Sequence, residues 1–312
     1  MKKKHVLIAS AVVATIGAGL FLIGPKPEAK RDNTALVAES GATTIEVNDP
    51  KHDRTIEVSV WEPDTGINRL VVLSHGFNGD RTSHNTLAMG LVDAGFVVAA
   101  PTHPDLGGLE DANPDLDPLV LRPRHLQLTI NRMLEGRSTE ITDVTVIGHS
   151  LGGYTALRAA GATPTTGELE LHCERHRDDD ILCSDSARSR IDSLVANPEN
   201  VSTTSIDRIV LLAPGYGPLF TDEALKALEQ PAMVVRAESD SEIVGNQVER
   251  LQQTLRDSTT STVPGSHYVF NRPCTPDEQA ELVDICNDQA GVDRDTIQDD
   301  VTKEIVDFIA DA

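Results

Sequence analysis

Five short, nearly all-apolar runs at residues 70–73, 96–100, 144–147, 209–212 and 233–235 recur along the chain with helix-period segments between them. A strand that is apolar on both faces must be covered on both faces, and a parallel sheet with crossover helices does that. The intervening segments 87–94, 119–134, 154–160 and 224–228, with 301–309 at the end, carry helical spacing. Residues 42–47 and 55–61 alternate instead, and the turn-prone Asn48-Asp49-Pro50 separates them, which predicts an opening antiparallel hairpin. The expected fold class is α/β: a mostly parallel, doubly wound sheet preceded by that hairpin.

One stretch breaks the rhythm. Residues 161–205 are polar, contain two Cys and the run Asp178-Asp179-Asp180, and exceed the short return that a plain βαβ unit needs. They are read as an irregular, cap-like insertion over the sheet. The acidic stretch 111–117 lacks the spacing of a calcium loop and is read as a solvated loop.

The first 30 residues differ from the rest. Lys2, Lys3 and Lys4 precede an apolar run that ends near Gly24, the composition of an export signal. The run is long for a cleaved signal and short for a membrane span, so a removed leader and a retained tether through residues 5–24 both remain open. The domain plan is therefore a leader or anchor over 1–30 and a single domain over 31–312. With a formal charge of −22 and only 3% aromatic residues, the chain has neither the basic surface nor the stacking platforms of a nucleic-acid binder. Cys173, Cys183, Cys274 and Cys286 are even in number and fall into two close pairs, which suits disulfides in an exported chain. Three pairings are possible. A metal site at His172, Cys173, His176 and Cys183 is the rival, but the paired C-x-x-C of structural zinc sites is missing, so no metal is expected.

The chemistry begins at Gly148-His149-Ser150-Leu151-Gly152, placed directly between the apolar run 144–147 and a helical pattern. On such a strand–turn–helix elbow a Ser is forced above the sheet, and small residues two before and two after avoid clashes. Gly148 and Gly152 meet that need, and Gly153 lets the helix pack closely. A Ser hydroxyl needs a base, and the base an orienting carboxylate. After Ser150 the histidines are His172, His176 and His267. The first two lie in the insertion, too early for the Ser–acid–His order of this fold, which leaves His267 as the base. Asp240 follows the run 233–235 at the sheet edge where ligands gather and is the preferred acid, with Glu238 and Asp222 as alternatives. For the oxyanion, the backbone N–H groups of Leu151 and of Phe77, in Ser74-His75-Gly76-Phe77, are the expected donors. His75 is read as a structural loop residue.

Residues 73–77, 148–157, the Cys173 segment, and Gly265-Ser266-His267 with Cys274 beyond resemble the bacterial α/β-hydrolases called dienelactone-hydrolase-like, relatives of platelet-activating-factor acetylhydrolases. The resemblance covers about residues 43–311. It implies the α/β-hydrolase fold and a serine ester hydrolase using Ser150, Asp240 and His267, with Phe77 and Leu151 at the oxyanion and no cofactor. Ser150 stands where true dienelactone hydrolases carry a Cys, which points away from the dienelactone substrate and leaves polyester hydrolases and lipases as close relatives. The expectation is an exported esterase acting on a small or lipid-like ester through an acyl-enzyme. A non-catalytic binding protein and a peptidase on the same scaffold are the competing readings.

Overall fold

The computed structural model describes residues 33–65, 68–103, 117–135, 137, 140–196 and 206–310. The expected leader at 1–30 and all of the 111–117 stretch except Asp117 lie outside them, and residues 32–312 form one unit. α1 (Thr34–Glu39) precedes the hairpin β1 (Thr43–Asp49) and β2 (Arg54–Trp61). Then come β3 (Arg69–Ser74), α2 (Asn85–Asp93), β4 (Val97–Pro101), α3 (Pro118–Leu134), β5 (Asp143–His149) and α4 (Leu151–Ala159). α5 (Gly167–Arg175), α6 (Asp180–Cys183) and α7 (Asp185–Ala196) fill the insertion, and β6 (Arg208–Leu212), α8 (Asp222–Lys226) and β7 (Ala232–Ala237) resume the alternation. The chain ends with α9 (Gln247–Thr254), β8 (Ser258–Val263), α10 (Pro276–Glu281), α11 (Val283–Cys286) and α12 (Arg294–Ala310).

Among the described residues the sheet has eight strands in the order β1-β2-β4-β3-β5-β6-β7-β8. β1, β2 and β4 pair antiparallel and β4 through β8 run parallel, as the apolar runs imply. Alternate side chains serve two cores. Leu70, Val72, Val144, Val146, Ile209 and Leu211 pack with α3 and α4 residues on one face, while Val71, Leu73, Ile147, Val210 and Leu212 pack with α2 and α12 residues on the other. This is the α/β-hydrolase architecture.

α3 shows how one helix is tied to the next. Asp117 caps its start, accepting the Leu119 N–H at 2.8 Å, and Pro118 occupies a first-turn position that needs no donor. Pro123 inside the helix has no N–H to offer the Leu119 carbonyl one turn back. The buried Tyr154 hydroxyl of α4 donates to that oxygen instead, at 3.2 Å.

The insertion departs from the irregular loop expected. It folds into α5, α6 and α7, burying Leu169, Cys173, Leu182, Ile191 and Leu194 against the α4 side of the core. Its apolar residues are sparse among charged and polar ones, and in α7 only Ala187, Ile191 and Leu194 mark the buried face, so the helical period is faint in the sequence. β8 is a second difference. Its sequence, STTSTV, is polar because it is an edge strand with exposed positions on both faces, and only Val263 is buried. Of the three possible pairings the cysteines take the local one: Cys173–Cys183 joins α5 to α6, and Cys274–Cys286 closes the segment before α11, with Cα separations of 5.4 and 5.6 Å. No helix among the described residues is long and apolar enough to cross a membrane.

Four buried imidazoles, those of His84, His103, His125 and His149, resist protonation in this frame. Burial holds His84 and His125 down to about 4, and burial followed by neighbouring positive groups (Arg122 for His103, His267 for His149) holds the other two well below the ordinary 6.5. An unfolded chain takes up these protons below about pH 6.5 while the folded one resists them, so stability is full above 6.5 and is lost as pH falls toward 4. The urea midpoint is therefore expected to drop steadily between pH 7 and pH 4.5. A midpoint that stays flat across that interval contradicts the burial described.

Candidate active site

Ser150 terminates β5 with φ 55° and ψ −120°, a conformation that costs a non-glycine residue about 1–3 kcal/mol. Main-chain bonds hold it there: its N–H donates to Leu212 (3.0 Å), and its carbonyl accepts from Gly153 (2.8 Å) and Gly215 (3.0 Å). The elbow closes only because its neighbours lack side chains. A Cβ on Gly148 would lie 2.0 Å from the Gly152 carbonyl oxygen, and one on Gly152 would lie 2.0 Å from the Ser74 oxygen. At Gly153 the obstacle would be Pro214, at 2.6 Å. These are the roles expected for the three glycines.

His267 opens a short 3-10 turn (His267–Phe270) after β8. Its Nδ1–H donates to Asp240 Oδ2 at 2.8 Å, with the two side chains 4% and 6% exposed. That bond leaves Nε2 with a lone pair able to take a proton. The other Asp240 oxygen accepts the N–H groups of Glu242 (2.9 Å) and Ile243 (3.1 Å), so the carboxylate cannot swing away. The acid loop and the His loop are sewn together by Glu238 N–H to Val263 O (2.8 Å) and Ser239 N–H to Gly265 O (3.0 Å). Neither alternative acid is placed this way: Glu238 is exposed, and Asp222 pairs with Arg250 at 2.6 Å. Tyr268 meets the His267 ring edge-on, its own hydroxyl pushed up to about 12 by burial and Glu242.

His149, unremarked in the sequence beyond its place in the motif, ties the end of β5 to the His267 loop. Its Nε2–H donates to the His267 carbonyl at 3.0 Å, and its ring lies 4.9 Å from the His267 ring and 5.2 Å from that of His84. Ser150 itself makes no side-chain hydrogen bond among the described residues. In free enzymes the bond from nucleophile to base is commonly long and tightens with substrate.

On the opposite side of Ser150 lies the turn after β3. A Cβ on Gly76 would sit 3.2 Å from Ser150 Cβ. His75 Nε2 accepts the His103 N–H at 2.9 Å, which puts its own proton on Nδ1, 2.7 Å from the Gly76 carbonyl. It is a structural loop residue, as expected. Arg122 of α3 reaches the same turn, a contact not legible in the sequence because a buried Arg in a helical pattern has no periodic signature. Leu151 begins α4, where an N–H has no intrahelical acceptor, and the Phe77 N–H meets no acceptor among the described residues. The Phe77 side chain is 40% exposed. The rival metal site is compromised by the covalent chemistry: His172, Asp179 and Cys183 offer atoms within 4.8 Å of one another, but the Cys183 sulfur is bonded to Cys173 and His172 Nε2 lies 2.8 Å from Asp179.

The model of the alpha/beta hydrolase family matches residues 71–282, a span that holds the elbow, the acid and the His loop. The chain belongs to the alpha/beta hydrolase family. Solved structures of the same fold include a predicted CIB-like hydrolase from Thermoplasma acidophilum, 14% identical over 87% of this chain and 99% of that one, with a TM-score of 0.50. Thermogutta terrifontis esterase 2, solved phosphorylated by paraoxon, is 11% identical over 86% and 95% (TM-score 0.54). A thermostable carboxyl esterase from Bacillus coagulans, solved with glycerol, is 15% identical over 86% and 97% (TM-score 0.50). At these identities the likeness is one of fold. No curated protein matches the sequence.

The Gly152 contact is with backbone, which cannot rotate aside. Gly152→Ala is expected to lower unfolding stability by about 2 kcal/mol or more, read from denaturant midpoints at constant slope. An unchanged midpoint would mean that the elbow is not locked by this approach.

Proposed function

We propose that this hydrolase is a serine carboxylic-ester hydrolase in which Ser150 is the nucleophile, His267 the base and Asp240 the residue that orients it. The observation that carries this is the 2.8 Å bond from His267 Nδ1 to Asp240, in a loop that His149, the residue before the φ 55° serine, reaches through its 3.0 Å bond to the His267 carbonyl. His267 Nε2 takes the proton of Ser150 Oγ as the oxygen attacks the ester carbonyl. The carbonyl π electrons move onto oxygen, which the N–H groups of Phe77 and Leu151 receive. Collapse expels the alcohol, protonated by His267, and leaves an acyl-serine. Water, deprotonated by the same imidazole, then attacks that acyl group and frees the acid and Ser150. The exposed Phe77 side chain beside the turn supports an acyl ester with an apolar portion, small or lipid-like. No cofactor enters these steps.

Export is part of the proposal. The basic, apolar N-terminal sequence and two disulfides are both expected of a chain that leaves the cytoplasm. Residues 5–24 serve there as a cleaved signal or a membrane tether, and the intact mass of the protein from its native compartment distinguishes the two.

Hydrolysis of p-nitrophenyl esters of graded chain length tests the chemistry. The wild-type protein should turn over at least one of them, Ser150→Ala should lose about 10³-fold or more, and Asp240→Asn roughly 10³- to 10⁴-fold, with the fold intact. An inactive wild type across all lengths would favour a binding module, and a Ser150→Ala variant with undiminished rate would remove the nucleophile assigned.

A further inference from the structure

Arg122 is fully buried on α3, and its guanidinium grips two consecutive main-chain carbonyls of the turn after β3: Nη1 donates to His75 O at 2.6 Å and Nη2 to Gly76 O at 2.8 Å. The Gly76 oxygen also accepts His75 Nδ1–H at 2.7 Å and the Gly79 N–H at 3.2 Å. Burying a guanidinium carries a large desolvation cost, so the carbonyl dipoles that receive it are held firmly. A trans peptide is planar, and its C=O and N–H point in opposite directions. Fixing the Gly76 oxygen toward Arg122 therefore turns the Phe77 N–H of the same peptide away from α3. Gly76 is the residue whose Cβ would touch Ser150, and the Phe77 N–H meets no acceptor among the described residues.

We infer that Arg122, together with His75 Nδ1–H, is a positioning residue for the oxyanion donor, acting through the Gly76–Phe77 peptide. This rests on the proposed role of Ser150. The guanidinium fixes the direction of the donor before substrate arrives. Its charge, one peptide unit behind, also draws electron density from the carbonyl and strengthens the N–H as a donor. Both effects act on an oxygen that becomes negative only in the transition state, so they bear on kcat and leave substrate binding alone.

The test uses the full-length protein, Arg122→Lys and Arg122→Met, and a second pair at His75. Asn at 75 can keep a donor where Nδ1 stood, whereas Gln can keep only an acceptor where Nε2 met His103. With a p-nitrophenyl ester that the wild type hydrolyses, kcat should fall roughly 10- to 100-fold in Arg122→Met and less in Arg122→Lys, with KM nearly unchanged. The Ki of an aryl trifluoromethyl ketone, which forms a tetrahedral adduct, should weaken in step with kcat/KM. His75→Asn should retain more kcat than His75→Gln, and this comparison stands even if Arg122→Met does not fold. If His75→Gln is the better enzyme, or folded Arg122 variants keep kcat within threefold while the wild type works through Ser150, this inference is overturned and the nucleophile assignment survives. If the wild type shows no Ser150-dependent turnover, the nucleophile assignment fails and this inference falls with it.

Discussion

A serine adopts a left-handed backbone only where its surroundings overrule its own preference, and here the overruling contacts are main chain against main chain. Gly152 lies so close to the Ser74 carbonyl, and Gly148 to Gly152, that a single methyl on either would push the start of α4 off the ends of β3 and β5. β6 adds the Leu212 carbonyl and the Gly215 N–H to the same knot. Three adjacent parallel strands thus end at one point, and Ser150 is where they end. Sheet and site cannot be dissected, because the bonds that finish the sheet are the ones that strain the serine.

Around this knot the protein places rings that resist charge. His149 and His84 are buried and hold their protonation well below the ordinary range, His84 against the His149 ring and His149 against the His267 ring, and of the three only His267 has a carboxylate at bonding distance on Nδ1. The Nε2–H of His149 anchors the His267 backbone, so this buried neighbour also fixes where the His267 ring sits. A comparable division of labour exists on the other flank, where Arg122 and His75 hold the peptide behind Phe77.

Much of this was legible in the chain itself. Strands that are buried on both faces announce themselves as apolar runs, and β3 through β7 all did, within two residues of their observed ends. The glycines around Ser150 were legible because steric exclusion leaves a residue-type signature, and His267 because the order along the fold admits few candidates. What stayed hidden has a common cause. β8 is an edge strand of Ser and Thr, α9 has two buried apolar residues among charges, and the insertion helices carry few apolar residues among many polar ones. Arg122 and His149 act through main-chain carbonyls distant in sequence, and nothing in one residue's identity records which backbone oxygen it meets. Asp240 is the preferred acid from its place after the 233–235 run, and its 2.8 Å bond to His267 Nδ1 is the contact that the sequence could not display.

The most direct measurement is covalent. Treating the wild-type protein with diethyl p-nitrophenyl phosphate and locating the adduct by peptide mass spectrometry reports which side chain is a nucleophile and whether the imidazole activates it. A single diethylphosphoryl group on Ser150, formed far more slowly in a folded His267→Ala variant, is the outcome expected. A modified residue elsewhere, or a Ser150 that reacts at the same rate without His267, would contradict the role of the elbow at its root.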